Sequence, residues 1–316
     1  MGIMNPLSSR WWAGLPPAAG AVVMATGIIS VGLELLGHHA LSLAALVLTA
    51  AVWLLLAADF AVRLVRDRSG WTALSRTPAS LTAVAATCVL GTRLSLFGRQ
   101  HVAAVLLALA AVAWPVLLYT VMRHWHRPMP GPAFLVCVAT QGLAVLAGTL
   151  VLAGRGDWLG RAALVLFCLG LLLYLEALAR FDPRQVWLGA GDQWIAAGAL
   201  AISALAGSRL VASTLWSSTV HTVLRDATLV LLTLDLGAYA VLLAAELLRP
   251  RPRYDVRRWS TVFPLGMTAV AVLSTASAAH VARLHTVGEV LLWVAVAAWL
   301  LTAGALLATG VRQEHP

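Results

Sequence analysis

The sequence predicts an all-α polytopic membrane protein with ten transmembrane helices. Three observations carry that expectation. Of 316 residues, 60% are apolar and only 11% charged, with a mean hydropathy of +0.86, whereas a soluble domain carries about 25% charged residues. The apolar residues gather in ten runs, each near the roughly 20 residues that a helix needs to cross hydrocarbon. The arginines collect in the short gaps between those runs. A soluble enzyme, a disordered chain and a secreted disulfide scaffold are excluded together.

The runs cover residues 16–36, 40–62, 78–97, 101–122, 131–153, 159–179, 187–206, 222–247, 260–282 and 286–309. Ten helices of about 20 residues use some 200 positions. The remainder makes only short tails and loops, so residues 1–316 read as a single membrane-embedded domain. The first run is too long for the apolar stretch of a signal peptide and is followed by no convincing cleavage site.

Orientation follows from arginine counts in the short loops. One side takes fifteen, including Arg10, Arg63, Arg66, Arg68, Arg76, Arg251, Arg253 and Arg312. The other takes seven: Arg93, Arg99, Arg155, Arg161, Arg209, Arg225 and Arg283. The richer side is expected to be cytoplasmic, which puts both termini on the cytoplasmic side of the cell membrane. Trp11, Trp12, Trp71, Trp125, Trp187 and Trp259 fall at the same helix ends, as an interfacial belt requires.

All 22 basic residues are arginine, and the net charge is +9. Set between apolar runs, that charge is expected to meet lipid headgroups and small anions, not nucleic acid. Cys88, Cys137 and Cys168 lie inside apolar runs and read as small packing residues, not a disulfide framework. The pairs His38/His39 and His124/His126 lack carboxylate or cysteine company, so neither metal nor cofactor is expected.

Short turns (37–39, 154–157, 283–285) make helices 1–2, 5–6 and 9–10 tight antiparallel hairpins. The odd helices are richer in Gly, Ala, Ser and Thr than the even ones, which suits close packing or a narrow lumen. The even helices, with runs such as Leu54-Leu55-Leu56, suit lipid. An Ala-Thr echo recurs as Ala25-Thr26, Ala86-Thr87 and Ala139-Thr140, either a true repeat or chance in alanine-rich helices.

Ionisable groups at membrane depth default to function. Asp59, Glu176, Asp235 and Glu289 all lie on even helices, and Glu34 and Asp192 near the ends of odd ones. A path lined by odd helices would lack fixed negative charge and favour anions. Asp59 and Arg63 are spaced to pair along one helix. Asp235 is the deepest: a proton carrier, or an acid bonded to a neighbouring helix. His280 sits late in helix 9. Pro115 and Pro264 interrupt helices 4 and 9. Phe263, beside Pro264 and Gly266, suits either an apolar plug or ordinary packing.

Two stretches carry a resemblance to a known family. Pro16-Pro17-Ala18-Ala19-Gly20-Ala21-Val22-Val23-Met24-Ala25-Thr26-Gly27-Ile28-Ile29-Ser30 resembles the opening signature of the tellurite-resistance/dicarboxylate transporter family. Tyr254-Asp255, then Trp259-Ser260-Thr261-Val262-Phe263-Pro264-Leu265-Gly266-Met267, resembles its helix 9 signature. Weaker matches run over 85–93 and 192–202. The family includes bacterial tellurite-resistance proteins, fungal malate and sulfite transporters, and plant slow anion channels. The resemblance implies five hairpins around a central pore, odd helices inside and even helices outside, in a homotrimer with one pore per subunit. It also implies that Phe263 occludes the pore. The chain departs from its relatives in helix 8, where Leu231 to Gly237 lacks aromatics, and in helix 7, where Ala196 and Ala197 replace bulkier residues.

The expected function is transport of small anions. C4-dicarboxylates such as malate or succinate, or a tellurite-resistance-type activity, are the first expectation. Sulfite or chloride conduction and a non-transporting scaffold are the alternatives. Phe263 is the expected gate, with Pro264, Gly266 and Gly27 as backbone hinges. Met24, Thr26, Ser30, Thr87, Trp194 and Met267 are expected to line the pore. Arg93 is expected to supply charge at the outer mouth, and Asp235 is a candidate proton site. No nucleophile–base pair or metal constellation suggests an enzyme.

Overall fold

A computed structural model describes residues 19–66, 75–250 and 254–313, without the side chains of 310–313. Arg10, Trp11, Trp12, Pro16, Pro17, Arg68, Trp71, Arg251, Arg253 and the Arg312 side chain lie outside the described residues. So does the start of the first predicted helix.

Ten helices carry the architecture: α1 (Gly20–Leu35), α2 (His39–Arg66), α3 (Thr82–Leu96), α4 (Gln100–Met122), α5 (Leu135–Leu152), α6 (Trp158–Leu178), α7 (Ile195–Val211), α8 (Ser218–Leu248), α9 (Trp259–Ala278) and α10 (Arg283–Gln313). Single 3₁₀ turns lead into α3, α5, α7 and α9. Nine of the helical segments among the described residues are long and apolar enough to cross a membrane, and α1 is a shorter apolar helix. No strand forms among the described residues beyond an isolated bridge between Met129 and Phe181. The chain is a multi-pass, all-α membrane protein.

Two predicted boundaries need correction. The seventh helix, expected from 187, is broken: a short turn spans Gln185–Leu188 and the long helix follows the 3₁₀ turn Asp192–Trp194. Gly191 sits between them at φ +128°, a conformation only glycine adopts without strain. The ninth helix ends at Ala278, not 282, and His280 lies beyond it with φ 57°. That left-handed residue terminates the ladder, so His280 belongs to a turn.

Each consecutive pair, from α1·α2 to α9·α10, packs side by side, and each odd helix also touches two other odd helices, in the cyclic order α1–α3–α5–α7–α9–α1. Burial divides the helices accordingly. In the spans containing α3, α5, α7 and α9, 78–89% of the most apolar stretch is buried inside the chain; in the even spans it is 11–33%. Even-helix residues such as Leu54, Val112, Leu172 and Leu301 are exposed, which costs nothing where the surrounding solvent is acyl chain. Cys88 and Cys137 are buried, but Cys168 on α6 is exposed and does not pack.

Even helices hold odd ones through a repeated polar contact. The indoles of Trp53 on α2, Trp114 on α4 and Trp299 on α10 donate to the hydroxyls of Thr87, Thr140 and Thr26 at 2.9, 2.9 and 3.0 Å. On α8 the contact inverts, and the Thr268 hydroxyl of α9 donates to Asp235 at 3.2 Å. The Ala-Thr echo therefore marks where an even helix grips the odd helix that follows it in the ring. Such interhelical bonds in lipid contribute about 0.6 kcal/mol each on average.

Candidate functional site

The five odd helices share one small cavity. Its wall includes Ile28 and Val31 of α1, Cys88, Val89 and Thr92 of α3, Gly142 and Val145 of α5, Ile202 and Leu205 of α7, and Met267 of α9, around a volume of about 10 Å³. That is room for roughly one water molecule. The wall carries no carboxylate and no arginine, and the Thr92 hydroxyl has no hydrogen-bond partner.

Helix periodicity extends this axis in both directions, because residues four apart share a face and stand about one turn from each other. Toward the helix N-termini, Phe263 lies four residues before Met267, and Met24 four before Ile28. Both are 1% exposed. A buried benzyl ring and a buried thioether thus stand one helical turn before two residues of the cavity wall. Close helix approach shapes this layer: a side chain at Gly266 would meet Ile28 at 2.8 Å, and one at Gly27 would meet Val89 at 2.7 Å. Pro264 stays within α9 without breaking it.

Toward the helix C-termini, Leu35 follows Val31 and Arg209 follows Leu205 by four residues. These two residues line a larger cavity of about 600 Å³, together with Ser208, Ser213, Thr214, Ser274, Ser277, His221, His280 and His285. One guanidinium, three imidazoles and five hydroxyls face it, and no carboxylate does. The surface favours anions by Coulomb attraction and by hydrogen-bond donors.

Several expected lining residues are turned elsewhere. The Thr26 and Thr87 hydroxyls are occupied by Trp299 and Trp53. Trp194 packs edge-on against Tyr239 of α8, ring centroids 5.5 Å apart. Ser30 and Ser42 exchange bonds with each other's backbone carbonyls at 2.7 Å, tying α1 to α2.

Arg93, expected at an outer mouth, is 1% exposed. Its Nη2 lies 2.7 Å from Glu34 Oε2, and its Nε donates to Ser30 and Ser42 at 3.1 and 3.0 Å. The charge is already neutralised by α1. Asp235 is fully buried, held by Thr268, with its other oxygen unpartnered. Asp59 pairs with Arg63 at 2.8 Å as its spacing predicts. Trp259, expected at the interface, is instead buried, edge-on to Trp299. Among the described residues no cluster of three or more His, Cys, Asp or Glu is arranged to hold a metal ion.

Arg209, Thr92 and Ser274 were not singled out from sequence. Nothing local distinguishes Arg209 from Arg93, since both sit near the C-terminal end of an odd helix. Only the fold supplies Glu34 to one, while among the described residues no carboxylate pairs with the other.

Five odd helices thus enclose a small cavity without acids, and one turn further along their faces lies a larger cavity lined by an arginine, three histidines and hydroxyls. Residues 14–307 match the family described as voltage-dependent anion channel, and the chain belongs to that family. It is also similar to membrane proteins described as uncharacterised from Mycobacterium tuberculosis strains CDC 1551 / Oshkosh and H37Rv. Each is 34% identical over 132 residues, covering 36% of this chain and 61% of the relative. The chain thus spans about three fifths of the length of these curated relatives.

Proposed function

We propose that the protein conducts small anions across the cell membrane along the axis of its odd helices, with C4-dicarboxylates such as malate or succinate as the first substrates. Phe263 closes the path, and Pro264 and Gly266 let the backbone beside it adjust. Met24 and Met267 line the narrow part. The active unit is a homotrimer with one path per subunit, and both termini face the cytoplasm.

One observation carries the reading: the vestibule that continues the faces of the central cavity is lined by arginine, histidines and hydroxyls and by no acid. Such a surface concentrates anions and excludes cations, while the apolar neck beneath it resists hydration until it widens. Solid-supported-membrane recordings on the purified, reconstituted chain test it across malate, succinate, sulfite and chloride. Currents for anions, largest for malate, are expected. A panel led by sulfite or chloride would reassign the substrate. Absence of any anion current overturns the reading and favours a scaffold.

A further inference from the structure

The vestibule contains a guanidinium that the protein itself leaves unsatisfied. Arg209 lines this cavity, and neither its Nε nor its Nη2 has a hydrogen-bond partner although both are shut off from solvent. The stem is seated against Gly148 of α5, where a side chain would meet the Arg209 Cβ at 2.9 Å, so close packing fixes its position. Arg93, also buried, leaves its Nη1 without a partner too, but its charge is matched by Glu34. Among the described residues no carboxylate pairs with Arg209, so two of its buried donors are left for a charge from outside the chain.

The edge formed by those donors is closed to solvent, so an ion engages it when the side chain turns into the cavity that Arg209 lines, and the chemistry of the edge says which charge it takes. Nε and Nη2 form one side of the guanidinium plane, with two parallel N–H bonds spaced for two oxygens. A halide uses that fork poorly; a carboxylate or another oxyanion fills it. Ser274 of α9, whose hydroxyl is also buried and unpartnered, stands in the wall of the same cavity and supplies a further donor.

We infer that Arg209 and Ser274 form an oxyanion-binding subsite, which holds one carboxylate group of an anion before it reaches the apolar neck. The inference deepens the transport reading and rests on it for the site's place along the path, but its test does not require conduction.

Formate and chloride are titrated calorimetrically into the detergent-solubilised full chain. Wild type is expected to bind formate at least about tenfold more tightly than chloride, the ratio that a fork worth about 1.4 kcal/mol provides. Arg209→Lys keeps the charge and loses the fork, so the preference falls to about threefold or less. Arg209→Met abolishes binding of both ions. Ser274→Ala, the mildest change to the fold, weakens formate about threefold and leaves chloride nearly unchanged. Formate affinity unaltered in Arg209→Lys and Ser274→Ala overturns the subsite. A wild type that binds formate through Arg209 yet passes no anion overturns the transport reading and leaves the subsite standing. Anion currents without Arg209-dependent binding do the reverse.

Discussion

Glu34→Gln asks whether Arg93 serves structure or conduction. The Arg93 side chain is 2% exposed and the Glu34 side chain 21%, with 2.7 Å between Nη2 and Oε2. Breaking a fully buried pair from one side costs about 3–5 kcal/mol. Glu34 reaches partway to solvent, and the Ser30 and Ser42 hydroxyls remain on Nε, so about 2–3 kcal/mol is expected here. Arg93→Met leaves Glu34 near His39, 3.2 Å away, and costs about 1–2 kcal/mol. The double substitution removes the stranded charge and recovers at least about 1 kcal/mol relative to the sum of the singles. Detergent-unfolding titrations followed by far-ultraviolet circular dichroism measure all four corners of the cycle, and proteoliposome flux is read in parallel. The double variant is expected to keep its anion flux. A coupling below about 0.3 kcal/mol, or a stable Arg93→Met protein that has lost flux, refutes the structural role.

Three further outcomes follow from the same geometry. Thr87→Val removes the acceptor of the Trp53 indole; it is expected to destabilise by about 1 kcal/mol and leave flux unchanged, as thermal unfolding and flux measurements on the same preparation will show. Asp235→Asn keeps an oxygen for the Thr268 hydroxyl, so the pH dependence of malate uptake is expected to match wild type; loss of a pH-dependent step would make Asp235 a proton carrier. Asp255 caps the turn into α9 by accepting from the Arg257 amide at 2.9 Å, and Asp255→Ala is expected to cost about 1 kcal/mol at neutral pH. The Arg257 side chain holds this carboxyl below its ordinary range. Its contribution is therefore full above that range and lost as pH falls through the lowered value, so stability curves for wild type and variant converge in acid.

Hydropathy revealed the helices because a membrane span must be long, apolar and self-satisfied in hydrogen bonds. The break before α7 was less visible: Gly189-Ala190-Gly191 is apolar enough to read as helix, and only the backbone angle at Gly191 ends it. Side-chain direction was the least legible property. α1 and α3 are buried nearly all round, so no amphipathic stripe separates a face toward the cavity from one toward an even helix. Thr26 and Thr87 accordingly read as pore hydroxyls when tryptophans from α10 and α2 claim them. Phe263 stands one turn before Met267, a local relation that sequence preserves. The contrast between Arg93 and Arg209 depends on Glu34, which lies 59 residues from Arg93, a distance no local pattern spans.

The central claim is that the faces of the odd helices bound a path that Phe263 closes. Single-channel or macroscopic current through Phe263→Ala in planar bilayers, beside wild type at equal protein density, tests it most directly. Removing the ring opens the layer beneath the cavity, so anion current should rise at least about tenfold while reversal potentials keep anion selectivity. Current equal to wild type in a correctly folded Phe263→Ala protein contradicts the account.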